Sequence, residues 1–137
     1  MSAFPKYVYK IVPEAPPSPL PSTLALSALD SKDGFIHLSI GSQVPITAGL
    51  FFNDVSSVWV LRVDRDALER EGGVLKWLED RPETGCVHLY GRSSEAHDWD
   101  GARLGQGNVV ESIELKRTES QTWAEASGGD TWLVNEV

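Results

Sequence analysis

Residues 35–40 (FIHLSI) set a histidine and a hydroxyl inside an otherwise apolar run, and this stretch constrains the fold more than any other. Side chains alternate across a strand with period two, so Ile36, Leu38 and Ile40 share one face while Phe35, His37 and Ser39 share the other. Residues 87–90 (VHLY) read as a second strand with the same layout. Val87 and Leu89 lie on one side, and Cys86, His88 and Tyr90 on the other. If both strands belong to one sheet and face one cleft, His37, Ser39, His88 and Tyr90 converge as hydrogen-bonding groups around a ligand.

Four further strands are expected at residues 7–12 (YVYKIV), 58–63 (VWVLRV), 74–77 (VLKW) and 109–116, from their aromatic and β-branched content. In the last, alternation puts Val109, Glu111, Ile113 and Leu115 on one face. Short helices are expected from Ser22, as N-cap, through Leu29, over residues 43–52, and over residues 67–70 after an Asp64 or Asp66 cap. Prolines between residues 16 and 21 fix an extended connection, and residues 30–34 (DSKDG) read as a turn. The polar, Gly-rich stretch 92–108 reads as a long loop. Residues 1–116 form the expected domain. The extension 117–137 is expected to pack back onto it, because Trp123 and Trp132 make it too aromatic for a disordered end.

The chain has 137 residues, of which 41% are hydrophobic, so a single globular core is expected. Twelve Lys+Arg against 20 Asp+Glu give a net charge of −8. That balance disfavours a grip on nucleic acid or an anionic membrane, both of which need clustered basic residues, and leaves a small molecule as the expected partner. The single cysteine, Cys86, forbids an intramolecular disulfide and a cysteine zinc cage, and fits a reducing, cytoplasmic setting. Neither a signal peptide nor a membrane-spanning helix is expected from the apolar runs present. Nothing in the pattern sets the oligomeric state.

Imidazoles half-buried in strands are natural acid/base groups near neutral pH, which makes His37 and His88 the catalytic candidates and Ser39 and Tyr90 the ligand-binding ones. The structural alternative for each histidine is a satisfied core residue. Tyr9 and Lys10 point to opposite faces, so at most one joins the cleft by alternation, and Tyr9 is preferred. Arg62, in an apolar strand, needs a carboxylate or solvent. His97-Asp98-Trp99-Asp100 matches no closed metal site and reads as a solvated turn, so no metal is expected. Gly101, Gly105 and Gly107 lack the order of a dinucleotide fingerprint. Cys86 and His88 stand parallel on one strand, a poor arrangement for a thiolate pair.

The run from Leu29 to Ser39 (LDSKDGFIHLS), then Gln43-Val44, Thr47-Ala48 and Phe51-Phe52, resembles the signature of the domain-of-unknown-function 952 family. Tyr9-Lys10, LRVD at residues 61–64, Leu75-Lys76-Trp77 and His88-Leu89-Tyr90-Gly91 extend the likeness over roughly residues 7–115. The resemblance implies an α+β domain similar to the ADP-ribosyltransferase-like proteins, with a split, mostly antiparallel sheet, a few short helices and a cleft between its halves. It also implies polar site positions at His37, Ser39, Gln43, His88 and Tyr90. Two departures stand out: Trp77-Leu78-Glu79 spaces the carboxylate one residue further than the family's Trp-Glu, and Cys86-Val87 replaces Phe-Pro.

Fold and chemistry are separate inferences, since one fold hosts many reactions. The leading expectation is a small-molecule enzyme of isomerase, cyclase, lyase or hydrolase type, using His37 and His88 without a metal or redox cofactor. An NAD-dependent ADP-ribosyl transfer is the alternative within the fold. It needs a carboxylate for the developing ribosyl cation, and Glu79 and Glu111 are its candidates. A non-catalytic module that binds a metabolite or nucleotide is the third reading.

Overall fold

The computed structural model describes residues 4–127 and 132–133. Strand β1 (Tyr7–Val12) stops at Pro13, and residues 13–27 run on without helix or strand. The helix expected from Ser22 is displaced: α1 is Ala28–Asp33, and Ser27 caps it by accepting from the Asp30 amide at 3.1 Å. Residues 21–24 are committed elsewhere. Leu24 N donates to Leu104 O (2.7 Å) and Pro21 O accepts from Gln106 N (2.8 Å), tertiary bonds that use groups a helical turn would need. The DSKDG turn is therefore the end of α1, closed by Gly34 in the left-handed region.

Strand β2 (Ile36–Ser39) leads through a 3-10 turn (Gly41–Gln43) into α2 (Val44–Phe51), whose Pro45 sits in the first turn, where no amide is required. Next come β3 (Ser57–Asp64), α3 (Arg65–Arg70) with Asp64 as its cap, and β4 (Val74–Trp77). Strands β5 (Cys86–Tyr90) and β6 (Val109–Lys116) and helix α4 (Trp123–Ser127) complete the chain.

Among the described residues six strands form one sheet in the order β4-β5-β2-β1-β3-β6, and every neighbouring pair is antiparallel. This is the expected α+β domain with a split sheet. β1 pairs with β3 along its whole length but with β2 only at Tyr9↔Ser39, so two three-stranded halves meet at one registered pair.

Apolar side chains cover both faces. Val8, Leu38, Leu61, Val63 and Leu89 pack with Leu68 of α3 on one. On the other, Tyr9, Ile11, Val58 and Val60 lie with Val44 and Ala48 of α2 and Trp123 of α4. Strand β6 contributes to both, against the expectation from strict alternation. The register steps from Arg62↔Glu111 to Val63↔Val109, and the extra residue turns Val109 into the first core while Leu115 stays in the second. No helix among the described residues is long and apolar enough to cross a membrane.

Candidate functional site

Where β1 and β2 diverge beyond Tyr9↔Ser39, the backbone of His37 loses its ladder partners, and two charged side chains replace them. Asp30 Oδ1 accepts from His37 N at 3.2 Å, and Lys10 Nζ donates to His37 O at 3.2 Å. The two wedge residues are themselves paired, Lys10 Nζ to Asp30 Oδ2 at 2.7 Å, with only 10% and 2% of their side-chain surfaces exposed. Buried charges are tolerated when paired and hydrogen-bonded, as these are. Burial pushes the Asp30 carboxyl up, but its bond to His37 and the Lys10 ammonium outweigh that and hold it below its ordinary value.

The same carboxylate fixes the His37 ring. Asp30 Oδ1 lies 2.7 Å from His37 Nδ1, and Asp33 Oδ2 lies 3.1 Å from Nε2. Asp30 and Asp33 are three apart on α1, hence on one side of the helix, and the turn at Gly34 brings β2 back past them. A side chain at Gly34 is excluded twice over: its φ is +85°, and a Cβ there would sit 2.6 Å from His97 N.

His37 stands directly opposite His88 across the β2–β5 ladder, their ring centroids 5.3 Å apart. Phe35 stacks on His88 at 4.2 Å and lies 5.0 Å from Tyr90, making a half-exposed aromatic shelf. Lys76, opposite His88 on β4, holds its ammonium 4.6 Å from the Tyr90 ring centre and donates to Ser94 O of the 92–108 loop. Burial first, and the positive charge of a protonated His37 second, lower the His88 pKa to about 4 against the opposing pull of Asp33 and Asp30. His88 is therefore a neutral imidazole at pH 7, with one nitrogen able to donate and one to accept. Burial raises the Tyr90 hydroxyl, which stays protonated.

The sequence candidates separate into three places. His37, His88 and Tyr90 share the aromatic shelf. Ser39 and Gln43 meet at the other end of β2, where Thr47 Oγ1 lies 3.3 Å from Ser39 Oγ and accepts from Gln43 Nε2 at 3.4 Å. Tyr9 shares the face by register but is fully buried, and its hydroxyl donates to Trp132 O at 3.1 Å. Lys10, set aside for Tyr9 on alternation, instead reaches the backbone of His37. Asp30 and Asp33 were hidden inside an apparent turn; their three-residue spacing just before the strand was the available signal.

Burial raises the Cys86 thiol, keeping it protonated. In the 97–100 segment Asp98 accepts from the amides of Ser93 and Asp100, a carboxylate organising its own turn. No group of three or more His, Cys, Asp or Glu among the described residues is placed to hold a metal ion. Arg62 reaches a carboxylate, pairing with the exposed Glu111 at 3.2 Å rather than in a buried pair, and lies 4.3 Å from the Trp132 ring centre.

The family model described as protein of unknown function (DUF952) matches residues 20–99, more than half of the chain and the stretch that carries α1, β2 and β5. The chain belongs to that family. Protein CC0527 from Caulobacter crescentus has a similar structure, 25% identical with a TM-score of 0.57, the match covering 82% of this chain and 88% of that one. A double mutant of the same protein matches at 24% identity and a TM-score of 0.56, with the same coverage. No curated protein matches this DUF952 chain.

Proposed function

We propose that the His37–His88 shelf binds a small organic carbonyl compound and transfers protons to and from it, without a metal or redox cofactor. The observation that carries this reading is the unequal pair: His37 held by Asp30 and Asp33, and a neutral His88 directly opposite. A carboxylate on Nδ1 orients an imidazole for proton transfer at Nε2. A substrate that displaces the partly exposed Asp33 from Nε2 meets that nitrogen, while the N–H of neutral His88 or the Tyr90 hydroxyl donates to its carbonyl oxygen. Proton removal beside a carbonyl is the step shared by isomerases, cyclases and lyases, and polarising the carbonyl serves hydrolysis too.

Assignment to the ADP-ribosyltransferase-like group belongs to the same proposal and is supported by the split sheet. NAD-dependent transfer has less support. Glu111 lies on β6, beyond β1 and β3 from the shelf, and is engaged by Arg62 and the Trp132 indole; Glu79 is exposed beyond β4. A cytoplasmic setting fits the single free thiol.

The test is α-proton exchange in D2O, followed by ¹H NMR, over a panel of small aldehydes, ketones and lactones. At least one compound should exchange, and His37→Ala, with its fold confirmed by circular dichroism, should slow the exchange by about 10²–10⁴-fold. No exchange across the panel, or exchange unchanged in His37→Ala, overturns the catalytic reading. Binding without exchange favours a metabolite-binding module instead.

A further inference from the structure

The other side of the sheet carries a separate feature. The proline-rich segment 13–27 crosses it like a strap, and between strap and sheet lies a groove of about 680 Å³. That volume falls in the range of small-molecule sites. Pro16, Pro17, Leu24, Leu26, Leu61 and Leu104 give it apolar walls, and Lys10 and Asp30 are its buried polar groups. The strap is stiffened by its prolines and tied down by the Leu24–Leu104 bond, so the groove is formed in advance.

We propose that this groove is a second ligand site, for an uncharged and largely apolar molecule bearing a carbonyl oxygen. Lys10 supplies the polar recognition. Of the three N–H bonds of its ammonium, one goes to Asp30 and one to His37 O, and the third is left for an acceptor in the groove. Charge selects against an anion: Asp30 already balances Lys10, Glu14 lines the groove as a further carboxylate, and the chain carries −8 overall. A ketone or ester oxygen takes the free N–H without adding a charge.

The test is ¹H–¹⁵N NMR titration of the full chain with 2-nonanone, nonanoate and nonane. The ketone should shift the amides of residues 24–28, and both other probes should bind about tenfold more weakly, the loss expected for one charge-assisted hydrogen bond or for an uncompensated carboxylate. Ala25→Trp, at an exposed lining residue clear of the Lys10–Asp30 pair, should fill the groove and abolish the shifts. Lys10→Met should erase the preference for ketone over alkane. Absence of ketone binding up to its solubility limit, shifts confined to the His37–His88 face, or equal binding by Ala25→Trp each overturns the proposal. Lys10 and Asp30 reach both the groove and His37, so the Ala25→Trp outcome, which leaves that pair unsubstituted, is the one that separates failure of the groove from failure of the shelf in the exchange assay.

Discussion

On one face of the same sheet, Tyr9, Val58 and Val60 lie fully buried beneath α2 and α4, whereas Phe35, His37, His88 and Tyr90 stay half-exposed. Both halves obey the same period-two alternation. What separates core from candidate site is the cover: α2 and α4 pack over β1, β3 and β6, and the tail's Trp123 seals them with 1% of its surface exposed. Polar groups on the open half stay partly exposed, while Tyr9 on the closed half donates its hydroxyl to the tail.

The largest effects should come from breaking that cover. Trp123→Ala should lower the unfolding free energy by about 4 kcal/mol, and Phe35→Ala on the open half by only about 1, both read by urea denaturation. Equal losses would erase the distinction between the halves. Asp30→Ala, at the seam, should cost about 3 kcal/mol because it leaves Lys10 as a buried unpaired charge and His37 N without an acceptor. A loss under about 1 kcal/mol would show that the wedge does not hold the halves together.

Acid should act on the open half first. His88 has a folded pKa near 4 against 6.5 for the unfolded chain, so between those values the unfolded state binds more protons. Its contribution is complete above pH 6.5 and is lost as pH falls toward 4, whereas Asp30, also depressed, gives up its contribution only below its ordinary value of 3.8. Denaturation at pH 7, 5.5 and 4.5 should show a decline that His88→Asn flattens. The smallest effect is a pair of hydroxyls. Tyr9→Phe should cost about 1 kcal/mol through its part-buried bond to Trp132 O, and Tyr90→Phe less than about 0.5.

Much of this contrast is legible in sequence, and the missing parts share a cause. Alternation alone assigns Ile36 and Leu38 to the core, and His37, His88 and Tyr90 to one shared face, because it depends only on local backbone geometry. It does not foresee which half the tail covers, so Tyr9 reads as a cleft residue although Trp132 takes its hydroxyl. Nor does it reveal Asp30 and Lys10, whose roles exist only because β1 and β2 part after one registered pair. The proline-rich strap reads as a solvated connection; its tertiary bonds, which also displace the helix from Ser22 to Ser27, arise from residues 104 and 106, far along the chain.

The unequal histidine pair is the centre of the account, and ¹⁵N NMR titration of the imidazole of His88 tests it most directly. The predicted midpoint is about 4, moving upward in His37→Asn because a positive neighbour is removed. A midpoint near 6.5, unchanged by that substitution, would contradict it.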